Sequence, residues 1–487
     1  MSRPLAHDET YNTFIYLNKR PVISSVIHRQ DIREYNWQGD WRRQVILHPP
    51  GLSFLYYNWI RVFGDSELSL RIVTFFSGLA ALVVFYLLGI LVFDSSVVFM
   101  ASLALCVTPA YVVYSLTAVH AIFELLIFLT TLLVILKYIS CRTRRLFWLL
   151  FVVNAAGAVF FYHYFIVLFM QLCILWRFRA ELKLKKTYFV SVLFFIACFL
   201  TVAGILYSRG LYKSFNWQTQ HFGSSLFTVF FLPFTQATTY GTLLLLGLFV
   251  LFVIGATSIL RLLSLSHAAL NVKRAIILAF FIAPILVQTS FGLLNMSFGH
   301  NRNFVYLLPV YMLIAFYGAS VVLSKKIYYY VISGIIIVCL AYATLLSFYS
   351  AEHEYLERAC FARASASNSA AVIVLVAHRK SRIAKYYSVK SGIGNRLFVL
   401  AADDEDSYEQ ILKSASGADT LEIIQGTGGS YLLYKLFRSA KSSGFTETSF
   451  DGHAVRTNAN ILIRKIFGPS DLRLYDYKFI KRRLLDK

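Results

Sequence analysis

The sequence predicts a mainly α fold: a polytopic transmembrane helical bundle, with a polar juxtamembrane module before it and a small α/β domain after it. Three observations carry this reading. The chain has 487 residues, of which 57% are hydrophobic and only 15% charged, whereas soluble domains carry about a quarter charged residues. The apolar residues gather in blocks of about 20, the length that crosses a bilayer core as a helix. Lys and Arg cluster in the short loops between those blocks, where the positive-inside rule puts them. The net charge of +22 therefore belongs to membrane topology. A nucleic-acid partner would need a basic face on a soluble domain instead.

Ten spans are predicted, at 72–93, 96–116, 119–139, 146–160, 161–176, 187–207, 240–263, 274–294, 303–323 and 327–349. Parity orders them. Arg142, Arg144 and Arg145 fill one loop; Arg177, Arg179, Lys183, Lys185 and Lys186 fill another. Arg261, Lys273 and Arg274 mark a third, and Lys325 and Lys326 a fourth. If all four face the cytoplasm, an even number of crossings separates each pair. The interval from Arg145 to Arg177 then needs two short helices, with a break near Phe161–His163. The first span enters from outside, so residues 1–71, the loops 208–239 and 295–302, and the tail after 350 are exoplasmic. The expected location is the inner (plasma) membrane, multi-pass.

Three regions follow: 1–71, an exoplasmic catalytic loop with juxtamembrane helices; 72–349, the transmembrane domain; and 350–487, an exoplasmic α/β domain. No apolar block precedes residue 72, although Lys19, Arg20, Arg29, Arg33, Arg42 and Arg43 should resist translocation. Either a first transmembrane helix is missing from the sequence or the N-terminus crosses unaided; the missing helix is the expectation. The six cysteines (106, 141, 173, 198, 339 and 360) show no CxxC or metal spacing, so neither disulfide framework nor zinc site is inferred. In the tail, 370–377, 397–401 and 421–425 read as buried strands, and 460–466 as a last strand. Segments 406–414 and 430–442 read as amphipathic helices. Gly426, Gly428 and Gly429 form a Gly-rich turn before a helix.

The residues that could carry chemistry sit early in the chain. Asp8-Glu9 reads either as a helix N-cap with a first-turn acid or as a general base tuned by the edge of low dielectric. His48-Pro49-Pro50-Gly51 is a rigid turn that aims His48. Residues 52–63 are too short to span and read as an interfacial helix, with Tyr56, Tyr57 and Trp59 at headgroup depth. Gly64-Asp65-Ser66-Glu67 caps the next helix, with Arg71 at its mouth. His120 and Glu124 lie one helical turn apart near the outer end of a span. An ionisable residue there is a functional hypothesis, with mutual pairing as the other reading.

The order DET…HPPGLSFLYYNWIRVFGDSELSLRIVTFFSGLAALVVFYLLG resembles the start of the integral-membrane glycosyltransferases of the GT-C fold. It is similar to the branch holding the dolichyl-phosphate-mannose protein mannosyltransferases and the lipid A aminoarabinose transferase. The resemblance is specific over 8–89. Beyond it, Tyr162-His163-Tyr164-Phe165 resembles a His-Tyr element between two short helices of the family. Residues 302–309 resemble the Arg that opens a late span. The tail after 350 has no counterpart. Two further departures stand out. The stretch 114–120 lacks the family's charged Arg/Glu element. Leu47 replaces an acid that binds metal in some relatives, so a divalent metal is doubtful and no metal ligand is assigned.

The resemblance implies an inverting transfer of one sugar from a polyprenyl-phosphate donor to a lipid, glycan or protein hydroxyl of the envelope, lipid A or core lipopolysaccharide among them. Asp8 would be the base and Glu9 its tuning partner. His48, Arg71, His163 and Arg302 would bind the donor phosphate. His120, Glu124 and Tyr164 are accessory candidates. For Arg71 and Arg302 the competing reading is an interfacial anchor that snorkels to headgroups; for His163 it is a core histidine. The rival functions are a lipid-linked sugar flippase, an O-antigen polymerase or ligase, and a non-catalytic scaffold. A flippase predicts midplane charges and repeated halves, and neither is visible. A polymerase or ligase would place its key loop late in the chain.

Overall fold

The computed structural model describes residues 50–64, 66–118, 120–160, 164–177, 193, 239–265, 269–293, 301–323, 325–349 and five strands between 371 and 481. The chain divides into two compact units, one running from Arg42 to Ser347 and the other holding the strands.

The first unit is a helical bundle. Its described helices are α1 (Pro50–Phe63), α2 (Glu67–Gly89), α3 (Ser95–Cys106), α4 (Pro109–Ser115), α5 (Ala121–Cys141), α6 (Arg144–Phe160), α7 (Tyr164–Arg177), α8 (Thr239–Leu265), α9 (Ala269–Leu293), α10 (Leu308–Val322) and α11 (Lys326–Tyr349). A 3-10 turn, η1 (Asn301–Leu307), leads into α10. Among the described residues five helices are long and apolar enough to cross a membrane, or six if α3 and α4 form one broken span. The predicted break between two short helices is present: α6 has 17 residues and α7 has 14, and they are separate elements. The predicted span 187–207 lies outside the described residues.

The predicted span at 96–116 is broken rather than straight: α3 and α4 meet at a bend of 62°. The cause is Thr108-Pro109. Pro109 opens α4, and Thr108 before it is extended at φ −75°, ψ 128°, because a residue preceding proline is pushed out of the α region. The break leaves the Val107 carbonyl outside the regular ladder, and lipid offers it no water. The Thr344 hydroxyl of α11 supplies the donor at 2.5 Å. Thr108 Oγ1 donates to the Ala104 carbonyl at 2.7 Å.

The core lies where α10 runs through the bundle: residues 308–319 are buried throughout. Its contact with α8 is glycine-mediated. A Cβ on Gly318 would strike the Leu251 carbonyl, and one on Gly255 the Ile314 carbonyl. Small residues allow this close backbone approach between apolar helices, where van der Waals packing rather than water exclusion drives association. Phe252 stacks on Tyr311 with ring centroids 5.1 Å apart.

The parity argument requires the turn after α2, the start of α9 and the end of α10 to share one end of the bundle. They do. Arg274 of α9 donates from Nε to the Val92 carbonyl at 3.0 Å. Its guanidinium lies 5.4 Å from the Phe93 ring centroid and 5.0 Å from that of Tyr317.

The second unit holds a mixed sheet of order β2-β1-β3-β5-β4. The strands are β1 (Ala371–Val376), β2 (Leu397–Leu400), β3 (Thr420–Gln425), β4 (Phe445–Ala454) and β5 (Arg473–Lys481). The first three match the predicted strands. They pair in parallel, as their near-continuous apolar runs suggest. β4 and β5 are antiparallel additions and were not predicted. β5 alternates Tyr475, Tyr477 and Phe479 with Leu474, Asp476 and Lys478, a period-2 pattern. The expected strand at 460–466, the two tail helices and the Gly-rich turn lie outside the described residues.

Candidate functional site

The end of the bundle opposite the Arg274 clamp holds three of the described candidates, Arg71, His120 and Glu124. It is built from α1 upward. Pro50 opens α1, a position that suits a residue without an N–H. A Cβ on Gly51 would come within 2.7 Å of the Phe160 ring and 2.8 Å of Val159. The glycine after the proline pair is therefore what lets α1 lie against the end of α6.

α1 is then fastened to the start of α2. Tyr56 is fully buried, and its hydroxyl donates to the Leu70 carbonyl at 3.3 Å. Trp59 Nε1 donates to the Ser69 carbonyl at 2.9 Å. These two rings staple one helix onto the next. Gly64 takes φ +77°, and Ser66 caps α2 by accepting from the Ser69 N–H at 3.1 Å, as the sequence indicated. The cap delivers Arg71 into the protein. Its side chain is only 1% exposed, which argues against a snorkelling anchor. A buried guanidinium costs several kcal/mol unless paired, and Arg71 does have interaction partners.

The start of α5 joins the same end. Phe123 meets Tyr56 edge-on at 6.4 Å and Phe160 at 6.2 Å. One residue on, Glu124 is 3% exposed, and its Oε1 lies 3.8 Å from His120 Nε2. That is ion-pair distance when the imidazole is protonated. η1 packs on the same stretch of α5, with Tyr306 buried and its ring 5.0 Å from that of Phe128. η1 also carries Arg302, whose side chain lies outside the described residues. So do Asp8, Glu9, His48 and His163.

Tyr164 has a definite place. Its hydroxyl donates to Asn154 Oδ1 at 2.8 Å and shares a contact of 2.7 Å with Thr131 Oγ1. Its ring fills the space above Gly157, where any Cβ would collide with it. Its polar atom is thus engaged in joining α5, α6 and α7. Sequence reasoning missed Asn154, Gly157 and the helix contact of Gly51. Asn154 was legible as a polar side chain within a span; the two glycines were not, because their role exists only between helices. Among the described residues no cluster of three or more His, Cys, Asp or Glu could hold a metal.

The comparisons come in two kinds. The model of the family described as dolichyl-phosphate-mannose-protein mannosyltransferase matches residues 47–205, which spans α1 to α7 and so most of this end of the bundle. No curated protein matches the chain at a significant level. Solved structures match more broadly but at low identity. ArnT from Cupriavidus metallidurans bound to undecaprenyl phosphate aligns at TM-score 0.49 and 12% identity, over 96% of each chain. The apo form of that protein gives 0.47 and 11%, with the same coverage. The Archaeoglobus fulgidus oligosaccharyltransferase, tethered to an acceptor peptide, gives 0.44 and 11% over 92% of this chain and 69% of that one. With the family's model matched over about a third of its length, this multi-pass chain resembles the GT-C-fold integral-membrane glycosyltransferases, in the protein mannosyltransferase branch.

Proposed function

We propose that the protein transfers one sugar from a polyprenyl-phosphate donor to a hydroxyl of an envelope acceptor, at the exoplasmic face of the inner membrane and with inversion. One observation carries the reading. Two buried ionisable side chains, Arg71 and Glu124, sit at the end of the bundle where α1, α2, α5, α6 and η1 meet. Burying charge in an apolar bundle is expensive and marks function by default. The family match over 47–205 supports the same chemistry.

In this reading the donor's isoprenoid tail lies in lipid and its phosphate meets Arg71, with His48, His163 and Arg302 completing a cationic cradle. The acceptor oxygen attacks the anomeric carbon as the carbon–oxygen bond to phosphate breaks. The polyprenyl phosphate departs with the bonding electrons, and the cations stabilise the charge that develops. Asp8 accepts the hydroxyl proton, held in tune by Glu9. A single displacement of this kind inverts the centre. His120 and Glu124 are accessory. The acceptor is lipid A or core lipopolysaccharide, another envelope glycan or a protein hydroxyl.

The test is transfer of radiolabelled sugar from synthetic polyprenyl-phosphate sugars to envelope extracts by the protein purified in detergent. Asp8→Asn is expected to abolish transfer while leaving thermal stability unchanged. Full transfer by Asp8→Asn would remove Asp8 from the mechanism. Absence of transfer from any polyprenyl-phosphate sugar by the wild-type protein, in extracts of a strain deleted for it, would remove the reading itself.

A further inference from the structure

The elbow between α5 and α6 carries charge that the proposed sugar transfer does not use. α5 starts at the end of the bundle that holds Arg71 and runs for 21 residues. At 1.5 Å per residue that is about 30 Å, so the elbow lies at the far end from the proposed chemistry. There Lys137, Arg142, Arg144 and Arg145 all stand exposed. Among the described residues none of these four side chains has a hydrogen bond or an ion pair. No Asp or Glu occurs between Glu124 and Glu181 that could neutralise them from α5, α6 or α7.

Membrane topology asks for positive charge in this loop, but not for this arrangement of it. Arg142 takes φ 52°, a left-handed conformation that costs a residue with a Cβ about 1–2 kcal/mol. Its N–H donates to the Tyr138 carbonyl at 2.9 Å, and the Tyr138 ring meets that of Phe147 at 6.4 Å, which sets α5 against α6. Arg144 and Arg145 open α6, whose first turn holds no acid. Cations there oppose the positive end of the helix dipole. Thr143 caps α6 through the Leu146 N–H at 3.4 Å and the Phe147 N–H at 3.2 Å. The N–H groups of Arg144 and Arg145 stay outside the helical ladder. A phosphate reverses these penalties: it neutralises the guanidinium groups, suits a helix N-terminus and accepts from both kinds of donor.

The surface beside the charges has the order of a phospholipid. Trp148 follows Arg144 by one turn of α6, and Val152 follows Trp148 by the next, so the three share one face. Trp148 is 53% and Val152 60% exposed. Charge, indole and aliphatic side chain thus succeed one another along an outward ridge, and an indole favours the boundary between headgroup and acyl chain.

We propose that the α5–α6 elbow binds an anionic phospholipid, with its phosphate among Arg142, Arg144 and Arg145 and an acyl chain along Trp148 and Val152. The ridge selects a lipid over a free phosphate, which would have no use for it. The site stands whether or not the bundle transfers sugar.

Tryptophan quenching by brominated lipid tests this on the full-length protein in nanodiscs. The discs are phosphatidylcholine with a minority of phosphatidylglycerol, and the bromines sit on the acyl chains of one lipid or the other. The Trp148 signal is the difference between the wild-type protein and Trp148→Phe. Brominated phosphatidylglycerol is expected to quench it with an apparent affinity about tenfold above that of brominated phosphatidylcholine. Arg144→Gln/Arg145→Gln, which keeps Lys137 and Arg142 for topology, should bring the two lipids within about twofold. Salt at about 1 M should do the same to the wild-type protein, since charges are then screened beyond about 3 Å. Lys326→Gln, which removes a cation from the start of α11, should leave the preference intact. Equal quenching of wild-type Trp148 by both lipids overturns the proposal. So does a preference that survives the double variant or high salt. Loss of the preference to inorganic phosphate at constant ionic strength also overturns it, by assigning a free anion. Should the double variant fail to assemble, the salt series on the wild-type protein decides.

Discussion

Replacing Tyr164 by phenylalanine removes one oxygen from a buried network whose hydrogens can be counted. Asn154 Oδ1 only accepts, so the Tyr164 proton goes to it, at 2.8 Å. Thr131 Oγ1 has one proton and two acceptors in reach: the Tyr164 oxygen at 2.7 Å and the Ile127 carbonyl at 2.8 Å. In Tyr164→Phe the Thr131 proton turns wholly to Ile127, and no donor is orphaned. Asn154 Oδ1 does lose its donor, and Asn154 is 1% exposed. An unsatisfied buried acceptor costs about 1–3 kcal/mol in soluble proteins, while side-chain hydrogen bonds inside membranes average about 0.6 and reach about 1.7 kcal/mol. The membrane scale governs here, and the orphaned acceptor pushes toward its upper end. The expected loss is about 1–2 kcal/mol, or roughly tenfold in the folding equilibrium. Thr131→Val, which leaves the Tyr164–Asn154 bond intact, should cost less than half of that. The assay is reversible unfolding in mixed micelles, with Asn154→Leu completing a double-mutant cycle. A coupling near zero between positions 154 and 164 would refute the network. A large loss of sugar transfer by Tyr164→Phe at a temperature where it stays folded would show that the hydroxyl serves chemistry rather than packing.

Three further outcomes follow from the structure. Gly318→Val places side-chain carbons against the Leu251 carbonyl, and overpacking of this kind costs about 1–3 kcal/mol or more; thermal size-exclusion should show early melting, with Gly247→Ala, where nothing lies within 4 Å, as the tolerated control. Arg274→Ala removes a charged hydrogen bond and two ring contacts from a half-buried site, an expected loss of about 1–2 kcal/mol with donor KM unchanged, since the clamp is at the far end from Arg71. Arg71→Gln should lower kcat/KM for sugar transfer about a hundredfold, and Arg71→Lys should recover only part of it, because a lysine keeps the charge but not the planar fork.

Much of the architecture was legible before any coordinates. Bilayer thickness forces helices of one length, and membrane topology sorts Lys and Arg into particular loops. The positions of the described spans other than 96–116, the split of 146–176 into two helices and the coincidence of the turn after α2, the start of α9 and the end of α10 at one end all follow from those two constraints. The Ser66 cap and the parallel strands β1 to β3 were also local: a hydroxyl before a helix and short runs of buried apolar residues. The candidate site was partly legible. Arg71 stood out because it follows a cap at the mouth of a span, and the HPPG turn because two prolines leave few conformations.

Other features belong to the tertiary structure alone. Periodicity passes straight through Thr108-Pro109, and only the packing of α11, which brings Thr344 to the Val107 carbonyl, makes a 62° bend tolerable in an apolar setting. Nothing local marks Gly157, Gly255 or Gly318, since each is small for the sake of a neighbour on another helix. Whether Arg71 snorkels or is buried depends on Tyr56 and Trp59 drawing α1 over the start of α2. Composition and charge determined that this chain crosses a membrane many times and in what order. The close approach of helices decided which of its few charges are enclosed, because desolvation is a property of neighbours and not of residues.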